Sequence, residues 1–402
     1  MEVRKLRPSE YREANILESL SFVFPLPDDK DKKEEAEPNA YAPDRWGCFG
    51  EGGRMAATLT NHDLPFYFDG GIAPARGVGG VASDPITRGQ GHVRALIEHV
   101  LKTDRAEGKL FSALYPFSHA FYRKFGYEVC YEHRSARFPL QALKVFRTDD
   151  PPQVRLIQPG EGTQALQPLY AAFAGRYNGM IARDENAWKR LHFGDPYKAK
   201  DYCYVLSRNG KDVAYGAFQF KPGESKFEQT LCLANYGFAD IEGFYDLMRF
   251  LYRYTAFAQT IEILIPEDFP FCSLLVSAAD VQYRFETKIM ARALHVENIM
   301  KAMRHPREDG AYTLFVTDPL LAENEGCYRV AYTKNGSVSV SRCNAANRTT
   351  DLQLSVESFA QLALGYLRLA DAEYKPDVTV QSNREVLEKV FVHKPKGLMD
   401  FY

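Results

Sequence analysis

The sequence predicts a mixed α/β (α+β) protein of three units, the first two sharing one layout. Three observations predict it. A short apolar strand at 81–83 runs toward the turn Arg88-Gly89-Gln90-Gly91 and a long amphipathic helix. Hairpin, strand and helix recur in that order between residues 202 and 257. From about Arg292 the pattern changes to a helix, a strand, a hairpin and another helix. A chain of 402 residues exceeds what one hydrophobic core usually organises, so the expected division is 1–150, 151–290 and 291–402.

The elements follow in order. The stretch 28–37 is polar, charged and flanked by proline, and reads as an exposed loop or lid. Cys48 and Phe49 lead into Gly50-Glu51-Gly52-Gly53, whose glycines supply the positive φ of a tight turn, and 55–59 returns as the hairpin partner. Val93, Leu96, Ile97, Val100 and Leu101 have the spacing of a helix laid on a sheet, ending near Gly108. A strand at 111–114 and a short helix carrying Phe121-Tyr122-Arg123-Lys124-Phe125-Gly126-Tyr127 complete the first unit.

In the second unit, strands at 202–206 and 212–218 flank Asn209-Gly210, followed by a strand near 231–236 and a helix over 244–257. Its counterpart of the Arg88 turn is Asp240-Ile241-Glu242-Gly243, whose carboxylates at a helix start repel an anion. One copy binds and the other is scaffold. The third unit has a helix stopped by Pro306, a strand at 312–316, and a hairpin of 328–332 with 338–340 across Asn335-Gly336. A helix over 356–367 follows, with Ser355 as N-cap.

Composition narrows the partners. Hydrophobic residues make up 45%, charged residues 25%, and the net charge is -2, which provides no field to gather nucleic acid or anionic lipid. No apolar run reaches the roughly 18 residues of a membrane helix, and no apolar leader follows Met1, so a cytosolic protein is expected. The 7 cysteines, Cys48, Cys130, Cys203, Cys232, Cys272, Cys327 and Cys343, are scattered without a Cys-x-x-Cys, and read as reduced core residues; neither a disulfide framework nor a metal site is expected. Ser83 and Ser118 lie outside any Gly-x-Ser-x-Gly elbow, which argues against a hydrolase.

The chemistry concentrates at 81–127. A glycine-led helix N-terminus presents unpaired N–H groups and the positive end of a dipole, where an anion gains about 0.3–1 kcal/mol. Arg88-x-x-Gly91 resembles the Arg/Gln-x-x-Gly-x-Gly/Ala signature of the GNAT acetyltransferases, departing where Val93 replaces a small residue. The whole chain resembles the enhanced intracellular survival (Eis) family. Points of likeness are Val81-Ala82-Ser83, Asp84-Pro85, residues 88–94, 121–127, Leu354-Ser355-Val356, and the ending Met399-Asp400-Phe401-Tyr402.

That resemblance implies tandem GNAT domains, the second degenerate, and a sterol-carrier-protein-like third. It implies acetyl-CoA as co-substrate, held by Val81, Ala82, Ser83, Arg88, Gly89, Gln90, Gly91, His92, Val93, Arg94, Phe117 and Ser118. It also implies Tyr122 as general acid, the terminal carboxylate of Tyr402 as general base, and a hexamer. The backbone edge at 81–83 would polarise the thioester carbonyl. Aromatic Phe22, Phe24, Trp46 and Phe401, with acidic Asp28, Asp29 and Asp400, suit a small cationic amine, an aminoglycoside or polyamine. His92 and His119 are candidates to assist proton transfer. Two other readings stay open: a peptide or protein amine as acceptor, and a non-catalytic acyl-CoA or lipid sensor.

Overall fold

In the computed structural model, residues 1–26, 44–191, 195–198, 200–223, 228–343 and 350–400 are described. The first unit contributes strands β1 (Glu2–Lys5), β2 (Asp44–Phe49), β3 (Met55–Asp63), the separate hairpin β4 (Phe66–Phe68) and β5 (Gly71–Ala73), then β6 (Ala75–Ser83), β7 (Phe111–Leu114) and β8 (Glu128–Pro139). Helix α1 (Tyr11–Phe22) precedes β2, and α2 (His92–Ala106) and α3 (His119–Arg123) flank β7. The expected stripe forms: Leu96, Ile97, Val100 and Leu101 are buried beneath α2, and the chain leaves the helix at Gly108, φ 79°. The glycine turn after β2 also forms, with Gly52 and Gly53 at φ 74° and 75°.

The second unit supplies β9 (Gln153–Leu156), β10 (Tyr202–Arg208), β11 (Lys211–Pro222), β12 (Gln229–Phe238), β13 (Thr260–Ile265) and β14 (Gln282–Ala293). Its helices are α4 (Gln167–Ala174), α5 (Glu185–Arg190), α6 (Ile241–Tyr252) and α7 (Phe271–Leu274). Helix α6 starts earlier than its apolar spacing indicates because the Asp240 carboxylate accepts the Gly243 N–H at 3.0 Å. The helix start without a phosphate-receiving glycine is thus capped by its own side chain.

One twelve-stranded sheet joins both units, in the order β1-β2-β3-β6-β7-β14-β8-β13-β12-β11-β10-β9. The late strand β14 lies between two strands of the first unit, pairing antiparallel with β7 (Met290 opposite Leu114) and with β8 (Arg284 opposite Ser135). In exchange, β8 reaches into the second unit and pairs with β13.

The third unit is a five-stranded sheet in the order β17-β16-β15-β18-β19, with β15 (Gly310–Thr317), β16 (Gly326–Tyr332), β17 (Val338–Arg342), β18 (Leu352–Ser355) and β19 (Thr379–Val380). Around it lie α8 (Val296–Ala302), α9 (Val356–Ala363), α10 (Leu369–Ala372) and α11 (Arg384–Val390). Ser355 caps α9 by accepting the Ser358 N–H at 3.2 Å. The helix stops at Ala363, short of the expected 367, because Gly365 turns the chain at φ 72°. Phe359 and Leu362 of α9 share a core with Tyr131, Ile289 and Phe111, and Gln361 donates to the Val129 carbonyl at 2.8 Å, so the third unit closes over the exchanged strands.

The cysteine expectation needs correcting. Cys327 and Cys343 form a disulfide across β16 and β17, with Cα atoms 5.1 Å apart; antiparallel pairing of Tyr328 with Arg342 brings together residues 16 apart in sequence. Cys48, Cys130 and Cys203 are buried thiols, and burial pushes Cys130 and Cys203 up to about 12. Cys232 and Cys272 are only half-buried. Among the described residues no cluster of metal-ligating side chains occurs, and no helix is long and apolar enough to cross a membrane.

Candidate active site

Strands β6 and β7 part company. They pair in parallel from Ala75 opposite Phe111 to Val78 opposite Leu114, after which β6 continues to Ser83 while β7 ends. On its other side β6 keeps β3 as partner, with Ala82 opposite Thr58 and Gly79 opposite Thr60, so β6 carries an extra residue there. Such a bulge bends and twists a strand, and Gly80 at φ 58° accommodates it. Beyond Val78, the edge of β6 that faced β7 has no strand partner among the described residues, which leaves main-chain N–H and C=O groups for a ligand.

The chain then turns tightly into α2. Asp84 accepts the Ile86 N–H at 3.0 Å and pairs with Arg54 at 2.9 Å, fixing the short helical turn over Pro85–Thr87. Gly89 and Gly91 adopt φ 86° and 87°, and Gly91 is the N-cap of α2. A Cβ at either glycine would meet no atom within 4 Å, so left-handed backbone demands glycine there, not crowding. Because the cap has no side chain, no side-chain hydrogen bond reaches the first turn of α2. His92, Val93 and Arg94 of that turn line a cleft, at the positive end of the helix dipole.

Between the β6 edge, the α2 start and the 117–125 segment lies a cleft of about 630 Å³. Of the residues expected to hold the coenzyme, Val81, Ala82, Ser83, Arg88, Gly89, Gly91, His92, Val93, Arg94 and Phe117 line it. Gln90 and Ser118 do not. Gln90 is exposed on the turn, and the Ser118 hydroxyl is spent as the cap of α3, accepting the Phe121 N–H at 3.3 Å. Sequence reasoning missed Ser21, Thr87 and Lys124, which also line the cleft. Lys124 joins Arg88 and Arg94 as a third cation; it sits within the quoted aromatic stretch, where attention goes to the rings.

Tyr122 is 3% exposed and meets the rings of Phe117, Phe121 and Tyr127 with centroids 5.4, 5.1 and 6.1 Å away. Phe117 and Phe121 line the cleft, so the tyrosine stands directly behind its aromatic wall. Burial pushes its phenol up, which keeps it protonated at physiological pH and able to donate. Behind it, Arg292 is fully buried and donates to both oxygens of Asp318 at 2.8 and 2.9 Å. A Cβ on Gly126, φ 79°, would fall 1.6 Å from the Arg292 Nη1, so both backbone and packing reserve that position for glycine. His92 lines the cleft and is 8% exposed; His119 is half-buried at the start of α3 and does not line it.

The expected acceptor residues do not gather as a group. Trp46 is a core residue, 6% exposed, packed on His99 of α2 with ring centroids 5.3 Å apart; as a β2 position facing α2 it cannot contact an acceptor. Phe22, half-exposed, lines the cleft beside the Gly89–Gly91 turn, and Phe24 is exposed beyond the end of α1. Asp28, Asp29, Phe401 and the expected base Tyr402 lie outside the described residues. Asp400 is described, and its charge is taken: Arg183 pairs with it at 2.8 Å and the Tyr170 hydroxyl donates to it at 3.2 Å. A carboxylate so engaged is not free to draw a cationic acceptor.

Comparison with known proteins agrees with this geometry. The acetyltransferase (GNAT) domain family matches residues 2–130 and, through a second family of that description, 179–293; the sterol carrier protein domain family matches 296–398. No curated protein matches the sequence. Among solved structures, a GCN5-related N-acetyltransferase from Anabaena variabilis superposes with TM-score 0.86 at 18% identity, covering 100% of both chains. A probable N-acyltransferase from Enterococcus faecalis gives 0.85 at 18% identity, covering 100% of this chain and 99% of that one. Eis1 from Mycobacterium abscessus gives 0.81 at 18% identity, covering 100% of both. The chain thus carries two acetyltransferase (GNAT) domains followed by a sterol carrier protein domain, and it shares its fold over full length with Eis1 and the other structures named.

Proposed function

We propose that the chain transfers acetyl from acetyl-CoA directly to a primary amine of a small cationic acceptor of the aminoglycoside or polyamine kind. The observation that carries this is the joint opening of the β6 edge and the glycine-capped start of α2 onto one cleft bounded by the aromatic wall before Tyr122. The N–H groups after Gly89 and Gly91 receive the pyrophosphate, with Arg88, Arg94 and Lys124 adding Coulomb attraction at the rim. Main-chain N–H groups at 81–83 polarise the thioester carbonyl. Tyr122 donates its proton to the departing sulfur as the C–S bond breaks. Phe22, half-exposed at the cleft, offers a ring face to a cationic acceptor.

Calorimetry with acetyl-CoA, followed by mass spectrometry of products from mixed aminoglycosides, polyamines and peptides, tests the reading. Binding with acetylated small amines is expected. Binding without any acetylated product would make the protein a coenzyme sensor, and acetylation of peptides alone would move the acceptor class. Sedimentation tests the hexamer.

A further inference from the structure

The segment 394–400 is strapped across all three units. Lys394 pairs with Asp69 of the first unit at 2.6 Å and donates to the Ala363 carbonyl of the third at 2.9 Å. Lys396 pairs with Glu267 of the second at 2.5 Å, and the backbone is tied to Asn178 through its N–H to the Pro395 carbonyl at 2.9 Å and its carbonyl to the Gly397 N–H at 3.1 Å. The strap ends at Asp400, gripped from two sides. From the first unit, the Tyr115 hydroxyl donates to the Asp400 main-chain carbonyl at 2.7 Å; Tyr115 directly follows β7, two residues before Phe117 of the cleft wall. From the second unit, the Arg183 side chain, with no exposed surface, holds the Asp400 carboxylate at 2.8 Å. It is itself clamped over the Tyr170 ring at 3.6 Å and the Trp188 ring at 4.8 Å.

A buried ion pair is a poor source of stability, since desolvation offsets its Coulomb gain; its attested use is to fix one geometry among several. A guanidinium suits that use because its planar fork dictates direction, and two aromatic faces deny this one any other rotamer. We propose that Arg183 is a positioning residue of the transfer reaction: the second unit, whose own helix start is capped by Asp240, sets where the strap meets Tyr115 at the β7 end, two residues before Phe117 of the cleft wall. This rests on the acyltransferase reading given above.

The test measures kcat, acetyl-CoA affinity and hydrogen exchange of the 394–400 peptide for Arg183→Gln, Asp400→Asn and the double variant. Each single change is expected to lower kcat at least tenfold, with coenzyme affinity within twofold and faster exchange confined to the strap. The double variant, free of an unpaired buried charge, should lose less than the product of the two single losses. Single variants with wild-type kcat, or losses that multiply, would overturn the proposal. If Arg183→Gln fails to fold, Arg183→Lys keeps the charge but not the fork, and the same kcat loss is expected; wild-type kcat in it would equally overturn the idea. Wild-type protein that neither binds acetyl-CoA nor acetylates any amine would instead remove the functional reading beneath it.

Discussion

Tyr122 has a simple test because its ring already packs against Phe117 and Phe121. Tyr122→Phe keeps that packing and removes only the proton, so kcat should fall by roughly 10²- to 10⁴-fold with coenzyme affinity nearly unchanged; steady-state kinetics with calorimetry separates the two. Asp104 makes a different prediction. It lies on the buried face of α2, accepts from Asn61 at 2.8 Å, sits 3.7 Å from Arg76, and burial pushes its carboxyl up to about 7. A folded pKa above the unfolded 3.8 means the native state binds the extra proton, so its stability contribution is present below that value and lost as pH rises through 7. Asp104→Asn should therefore gain stability relative to wild type between pH 4 and pH 8, read as a rising difference in denaturant midpoint. Trp46 shows what single residues conceal. Its aromatic character pointed to a ligand, yet only the pairing of Trp46 with Leu59 across β2 and β3, and the placing of α2 above, reveal a core side chain. Trp46→Ala should cost about 3–5 kcal/mol of stability, measured by chemical unfolding.

At the scale of elements, the part of the site that was legible is the part that is local. The Arg88 turn, the α2 stripe, the Asn335-Gly336 hairpin and the Ser355 cap each follow from a few neighbouring residues, and each forms where the spacing places it. What stayed hidden needs a distant partner: the disulfide needs the β16–β17 register, and Arg292 needs Asp318 before Gly126 has a reason. The helix starts carry a further test. Gly91→Ala places a Cβ into open space, so its penalty is conformational, about 1–2 kcal/mol for left-handed backbone, with no steric block to the cleft. Coenzyme affinity should weaken as the helix start relaxes toward negative φ, while Gly336→Ala, at φ 85° in the β16–β17 hairpin of the third unit and likewise with no atom within 4 Å of its Cβ, should lose comparable stability and no affinity.

For the whole molecule, the exchange of β8 and β14 decides which pieces stand alone. A fragment covering 1–150 contains the Gly89–Gly91 turn and Tyr122 but lacks the strand that sits between β7 and β8. Such a fragment should show no cooperative melting transition by circular dichroism, and a cooperative melt would mean β7 and β8 can pair directly. The three-part division was readable from length and from the repeated layout; the exchange was not, because β14 carries no mark of which sheet it enters. The same arrangement bears on synthesis. At about 5–20 residues per second, a ribosome that has finished β8 needs about eight to thirty seconds to deliver β14. Throughout that interval the nascent sheet carries an unfilled slot with bare edges at its centre, a vacancy that any extended peptide of suitable pattern can enter. Fast-translating expression hosts lacking spare chaperone capacity should accordingly yield this enzyme largely as aggregate, recoverable by slowing elongation with lower temperature.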